Sequence, residues 1–421
     1  MKVCIVSSSN GRAGGHAAAY RLHQGLQSQV SSTMLVGDKS RGDYTIVSPQ
    51  SKLAKAWVSV APTLDALPKL LYPNRDRTTY SLQWLPDRVA AKVAKIDPDI
   101  VNLHWINSGY LRIETIAQFN RPIVWTLHDM WAFTGGCHYS QECDRYKQSC
   151  GGCPILKSNY NWDLSRWLWR RKAKSWKDID LTIVTPSKWL AERAAESSLF
   201  NSLRIEVIAN GLDTQRYKPF DRKLAREIIG LPLDKKIILF GAVSASSNYR
   251  KGYHLLMPAL QKLKRDRSQQ QMELVIFGAS QPKDPPDFGI EARYLGRFND
   301  DISIALLYSS ADVFVAPSVQ DNLPNTVMEA LACGTPCVAF NIGGMPDLID
   351  RQQNGYLAKA YEPEDLARGI AWTIEDSDRW RNLSTRARNK VEREFTVEKQ
   401  AQSYIQLYED ILVKRNAAKS K

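Results

Sequence analysis

The sequence predicts an α/β protein made of two doubly wound, Rossmann-like domains. Three observations lead there. At 421 residues the chain is too long for one ordinary core and suits two domains of about 200 residues each. Short apolar runs of strand type alternate with helical patterns, the order that builds a parallel sheet with helices on both faces. That alternation starts again after residue 234, beyond a turn-rich stretch at 210–220.

The first series of strands is read at residues 3–6, 33–36, 100–103, 123–127, 181–184 and 205–208, each a mainly apolar run short enough for a buried strand. Gly11, Gly14 and Gly15 follow the first strand and precede a helix. Without side chains they let a substrate or phosphate approach the backbone, and a plain tight turn is the alternative. A dinucleotide site competes, since Asp38 ends the second strand where a ribose-binding acid belongs, but the glycine spacing is not GxGxxG. Residues 40–85 show no legible pattern. NGLDTQRYKP then supplies turn residues and a proline, which sets domains at 1–214 and 215–395 and a terminal segment at 396–421. The second series places strands at 237–240, 274–277, 313–316 and 336–340 and helices near 253–265, 302–310, 324–333 and 363–374. The last apolar-periodic stretch, FTVEKQAQSYIQLYEDILVKR, reads as a helix, and the KRNAAKSK end is expected to be disordered.

Residues 316–340, APSVQDNLPNTVMEALACGTPCVAF, are the most informative. A strand ends at Ala316, Pro317 and Ser318 turn the chain, Pro324 reads as a first helical residue and Gly334 as the stop. The first turn of such a helix presents unpaired N–H groups and partial positive charge. The amides around Asn325 and Thr326 can therefore hold a diphosphate without a metal. Asp321 precedes the helix, and Glu329 lies about 7.5 Å along it at ~1.5 Å per residue, so one carboxylate can meet ribose hydroxyls and the other a sugar. Asp321 as a helix cap and Glu329 as a solvated glutamate is the competing reading.

The formal charge of +13 implies an anionic partner: nucleic acid, an acidic membrane face or charged substrates. Residues 157–177 concentrate that charge, with seven Lys or Arg against Asp163, interleaved with Trp162, Trp167, Trp169 and Trp176. Basic side chains and indoles suit an anionic bilayer surface, and a half-buried helix with a solvated face fits equally. Nothing approaches the roughly 18 apolar residues of a spanning helix, and the opening MKVCIVSSSNG turns polar early, so a cytoplasmic protein without a cleaved signal is expected. Cys137, Cys143, Cys150 and Cys153 crowd one glycine-flanked stretch ending in a CxxC pair. A structural zinc ion, disulfides or free thiols stay open for them, and four sulfur ligands would leave no position for catalysis. D-x-D triplets at 97–99, 178–180 and 376–378 read as incidental.

GRAGG at 11–15, TLHD at 126–129, TPSKWL at 185–190, IANGLD at 208–213, RKG at 250–252 and FNIGGMPDLI at 340–349 occur in an order that resembles the family-4 retaining glycosyltransferases of the GT-B fold, bacterial exopolysaccharide and colanic-acid enzymes among them. The family signature is two glutamates with seven residues between them; here Asp321 stands in the first place. The resemblance implies two domains facing a central cleft, with a nucleotide-diphosphate sugar in the second, a saccharide or lipid-linked acceptor in the first, and the terminal helix returning to the first. It implies a donor site of Gly14, Gly15, Arg250, Lys251, Arg297, Asp321, Asn322, Leu323, Asn325, Thr326 and Glu329. His104 and Asp129 fall on the acceptor side, and His128, Asp321 and Lys251 take the catalytic places. Val243 occupies the position of a family arginine, for which Arg250 is the substitute. Transfer would need no metal or cofactor. The competing functions are a sugar-nucleotide epimerase or phosphorylase on the same scaffold, a glycan-binding protein without catalysis, and a basic zinc-containing nucleic-acid binder.

Overall fold

The structure, a computed structural model, describes residues 1–241, 249–267 and 269–419. Its strands are β1 (Lys2–Ser9), β2 (Ser31–Asp38), β3 (Ile46–Val47), β4 (Ile100–Leu103), β5 (Ile123–Thr126), β6 (Leu181–Thr185), β7 (Arg204–Val207), β8 (Lys236–Gly241), β9 (Met272–Phe277), β10 (Glu291–Tyr294), β11 (Val313–Ala316), β12 (Cys337–Phe340) and β13 (Gly355–Ala358). They form one sheet of order β3-β2-β1-β4-β5-β6-β7 and another of order β10-β9-β8-β11-β12-β13, and the pairings between these strands are parallel. In each sheet the order reverses beside the first-laid strand, between β1 and β4 and between β8 and β11. Ligands of open parallel sheets bind at the carboxyl strand ends near such a reversal.

By packing, the chain divides into two units, Met1–Gly211 with Val397–Lys421, and Leu212–Thr396. In the first, Val3, Ile5, Met34, Val36 and Val124 on one sheet face bury against Tyr404 and Tyr408 of the helix Val397–Lys419. The Tyr404 hydroxyl lies 2.8 Å from Thr126 Oγ1, and Asn102 Nδ2 donates to the Tyr408 hydroxyl at 2.6 Å, so the buried polar tips are satisfied. The expected disorder from residue 414 gives way to helix as far as Lys419, supported by Lys414 pairing with Asp410 at 3.0 Å.

The opposite sheet face packs an aromatic cluster in which Trp125 meets Trp176 edge-on at 5.0 Å. Trp176 follows the helix Leu164–Ser175, whose Leu168 and Lys172 are buried. The basic tryptophan segment is therefore half core: Trp162 and Trp167 are exposed, whereas Trp176 and Lys172 point inward. Lys172 Nζ donates to the carbonyls of Thr134, at 2.9 Å, and Trp131, and lies 3.7 Å over the Trp131 ring. Burial pulls its pKa down to about 7.

In the second unit Ile238, Phe240, Leu274, Ile276, Val315 and Val338 build the core beneath the helices Tyr253–Asp266 and Pro363–Glu375. Among the described residues no helix is long and apolar enough to cross a membrane.

Candidate active site

The turn at residues 249–251 and the loops at the carboxyl ends of β11 and β12 converge. Residues 249–251 form a single 3₁₀ turn, and the Val319 amide donates to the Arg250 carbonyl at 2.9 Å, joining that turn to the loop after β11. The next residue, Gly252, has φ +70°, and a Cβ there would stand 1.6 Å from the Pro317 carbonyl oxygen; only glycine fits so close an approach. Gly343 repeats the device in the loop after β12: its φ is +54°, a Cβ would lie 2.0 Å from the Asp321 carbonyl oxygen, and the Gly344 amide donates to that oxygen at 3.1 Å.

Within this frame Asp321 Oδ2 receives Lys251 Nζ at 2.7 Å, Arg250 Nη1 at 3.0 Å and the Ser318 hydroxyl at 3.2 Å. Arg250 also donates to the Gln320 carbonyl at 2.9 Å. Burial alone would raise the Asp321 pKa, but the two cations outweigh it and hold the carboxyl well below its usual range. Burial lowers the Lys251 pKa, with Asp321 opposing. Asp321 therefore does not cap the helix. That helix spans Asn325–Ala332, with Pro324 at the cap position and extended rather than first in the helix, because its ψ is 118°. Asn322 and Leu323 are buried in the approach to it. Glu329 is buried too, not solvated, and the Tyr308 hydroxyl donates to its Oε2 at 3.3 Å. Arg297 is exposed in the loop that follows β10, the edge strand of this sheet. Val243 falls outside the described residues.

The first unit holds a second cluster, also at carboxyl strand ends. The helix Gly14–Gln27 begins on Gly14 at φ +55°, and a Cβ on Gly15 would sit 2.7 Å from the His128 ring, so the glycine lets the helix start lie against the imidazole. His128 Nε2 is 2.9 Å from His104 Nδ1, with the rings stacked 5.2 Å apart. Asp129 acts on His128 through its charge, which raises the imidazole pKa against the effect of burial. It accepts from His138 Nδ1 at 2.6 Å, Trp105 Nε1 at 3.1 Å and the Trp131 amide at 2.9 Å, while His138 Nε2 contacts the Ser81 hydroxyl at 2.9 Å. His16, set edge-on to Trp105 at 5.0 Å, contacts the Ser7 hydroxyl at 3.1 Å. His104 is buried, and its Nε2 finds no hydrogen-bond partner among the described residues.

Sequence reasoning missed His16 and His138. His16 directly follows the glycine loop, a usable signal; His138 meets Asp129 only through the fold.

Burial drives the His128, His16 and His23 pKa values down to about 4. Neutral imidazoles thus serve near pH 7, as hydrogen-bond donors or acceptors. A folded pKa below the unfolded one means that the unfolded chain takes up protons first on acidification. Stability is then complete above about pH 6.5 and lost between there and about 4. Melting temperatures measured across that range are expected to fall steeply, and His23→Gln, which removes the fully buried imidazole held by Ser32 and Thr45 at 2.8 Å each, is expected to flatten the slope.

The four cysteines Cys137, Cys143, Cys150 and Cys153 are free thiols that line one small cavity together with Tyr80 and Arg145. Burial pushes the Cys150 and Cys153 pKa values up, to about 12 and about 11. Among the described residues no group of three or more His, Cys, Asp or Glu is arranged to hold a metal ion, so the zinc expectation finds its residues gathered but not set as ligands.

Two Rossmann-like parallel-sheet units with polar clusters at their strand ends are the architecture of GT-B glycosyltransferases. Residues 14–216 match the family model described as Glycosyltransferase Family 4, and residues 221–390 the one described as Glycosyl transferases group 1; the chain carries both domains. Over 98% of its length it superposes on all of a sucrose-phosphate synthase from Thermosynechococcus elongatus, with TM-score 0.71 and 18% identity. Over 97% it superposes on all of HepE from Anabaena, solved in complex with UDP-glucose, with TM-score 0.64 and 18% identity. Among curated relatives, D-inositol 3-phosphate glycosyltransferase 2 of Catenulispora acidiphila is 30% identical over 41% of this chain and 43% of its own. N-acetyl-alpha-D-glucosaminyl L-malate synthase of Bacillus anthracis is 26% identical over 49% of this chain and 54% of its own. The chain thus spans about half the length of the curated relatives it matches.

Proposed function

We propose that this protein is a retaining glycosyltransferase that moves a hexose from a nucleotide-diphosphate donor to a saccharide or lipid-linked acceptor in polysaccharide biosynthesis, without a metal ion in the transfer step. The carrying observation is the convergence of Lys251 and Arg250 on one buried carboxylate shortly before a helix start. Two cations next to helix amides supply the field that a diphosphate needs.

In this reading the donor's diphosphate takes over both cations and the amides of Asn325 and Thr326. Asp321 turns to the sugar hydroxyls and Glu329 serves the ribose. Asn322, Leu323, Arg297, Gly14 and Gly15 complete the donor contacts. His128, neutral near pH 7, donates a hydrogen bond to the transferred sugar, with His104 and Asp129 on the acceptor side. The C1–O bond to phosphate breaks, a bond from the acceptor hydroxyl to C1 forms on the same face, and the hydroxyl proton passes to the departing phosphate oxygen. A nucleoside diphosphate leaves.

The neighbour solved with UDP-glucose makes that sugar nucleotide the first donor to test. Proton NMR of products from a sugar-nucleotide panel in EDTA is expected to show a new glycosidic bond with the donor's anomeric configuration. Inversion, or dependence on an added divalent ion, refutes the mechanism; an epimerised nucleotide sugar with no new glycosidic bond replaces it with the epimerase reading. The setting proposed is the cytoplasm, with docking at the inner membrane face through the exposed part of residues 157–177, where Arg170 and Arg171 stack over Trp162 and Trp167.

The gathering of four thiols about one cavity beside the buried Lys172 supports a structural zinc ion there. Elemental analysis of purified protein is expected to give one zinc per chain, lost with a fall in melting temperature in Cys150→Ser. Zinc-free protein of equal stability ends that part of the proposal.

A further inference from the structure

The helix Lys52–Ala66 and the 3₁₀ turn Leu67–Leu71 that extends it expose large apolar side chains where a soluble surface ordinarily has polar ones. Leu53, Trp57, Val60 and Leu67 recur at the spacing of one helix face, and all four are exposed, Leu53 by 85%. Leu70 and Leu71 continue the patch, exposed by 67% and 79%. The helix's buried side chains are Ala61 and Asp65.

Charge distinguishes what could cover it. Asp65 is the one acid between residues 52 and 71, and it is buried, accepting from the amides of Leu82 at 3.1 Å and Trp84 at 3.3 Å. The outward charges beside the stripe are Lys52 and Lys55. A second copy pairing through this face would bring lysines together with no exposed acid of residues 52–71 to meet them. An anionic bilayer presents both missing complements, apolar depth and negative headgroups. The patch also adjoins the exposed aromatics of the basic segment. The Tyr72 hydroxyl accepts from the Leu164 amide at 3.0 Å, Asp76 pairs with Lys157 at 3.6 Å, and Tyr160 and Trp162 there are exposed.

We propose that the helix Lys52–Ala66 with its 67–71 extension is the principal docking surface for an anionic lipid bilayer, inserting Leu53, Trp57, Leu70 and Leu71 at the headgroup boundary and setting Lys52 and Lys55 against lipid phosphates. This deepens the docking part of the proposed function and moves its centre away from residues 157–177. It is independent of the transfer chemistry, which is read with soluble substrates.

Flotation of the full chain with vesicles of 70% phosphatidylcholine and 30% phosphatidylglycerol, against pure phosphatidylcholine, tests it. Binding is expected to need phosphatidylglycerol and to weaken with salt, as screened charge requires. Leu53→Ser/Leu70→Ser/Leu71→Ser is expected to reduce partitioning at least about tenfold, because each lost side chain forfeits buried hydrocarbon. Lys52→Glu/Lys55→Glu is expected to do likewise, with melting temperature and transfer to a soluble acceptor unchanged in both variants. Binding that survives both sets of substitutions overturns the assignment, as does no binding at all. A wild-type dimer that the leucine variant makes monomeric assigns the face to a second copy instead, and displacement by free glycerol phosphate would show headgroup chemistry without a bilayer and overturn it too.

Discussion

Lys251→Ala is expected to lower kcat/KM by roughly a hundred- to a thousandfold, the loss typical when one preorganised group that stabilises developing charge is removed. The basis is geometric. Lys251 Nζ lies 2.7 Å from Asp321 Oδ2, and Arg250, the other cation on that oxygen, is spent partly on the Gln320 carbonyl. A second consequence separates catalysis from folding. With its principal partner gone, Asp321 is a buried carboxylate that has lost part of its compensation, so Lys251→Ala also destabilises. Because Asp321 titrates below its unfolded value, its contribution to stability is present above about pH 4 and lost as the pH falls further. Removing Lys251 moves that loss upward in pH. Asp321→Asn placed in the Lys251→Ala background is expected to restore the melting temperature without restoring transfer. Recovery of both would make the pair structural only.

Gly252→Ala is expected to be the most damaging single methyl in the second unit. Its Cβ would meet the Pro317 carbonyl oxygen at 1.6 Å, and its φ of +70° is one that side-chain-bearing residues rarely adopt. Backbone must move on both sides, and the residues carried on those two loops are Arg250, Lys251 and Asp321. A stability loss above about 3 kcal/mol, with nucleotide-sugar binding lost in whatever remains folded, is the expected outcome in denaturant titration and calorimetry. Gly42→Ala is the control: φ there is not positive and a Cβ meets nothing within 4 Å, so its stability should match the parent.

How much of this was legible in the sequence depends on where each residue's reason lies. Strands whose apolar runs are buried on both faces, such as Ile100–Leu103 and Val313–Ala316, declare themselves, because a parallel sheet covered by helices asks for little else. The strands not anticipated are the edge strands β3, β10 and β13, of which Ile46–Val47 is two residues long and Glu291–Tyr294 carries two charges. Local composition cannot announce a strand whose pairing supplies its stability. Asp321 and Glu329 were found by spacing, but the carboxylate's partners are 70 residues away, and nothing local shows that Glu329 is buried against Tyr308. His138 went unread, and Lys172 was read only as part of a basic segment, interfacial or half-buried; their positions beside Asp129 and over the Trp131 ring follow from tertiary packing alone. Residues 52–71 resisted reading for the opposite reason, since their helical apolar stripe faces outward and no core explains it.

The central claim is that Lys251 and Arg250 hold the donor's diphosphate. Titration calorimetry of UDP into the parent chain and Lys251→Ala, both in EDTA, tests it most directly. The account predicts metal-free binding to the parent, weakened at least about thirtyfold in the variant, as loss of a charge-assisted contact implies. Equal affinity in the two proteins, or parent binding that disappears in EDTA, contradicts it.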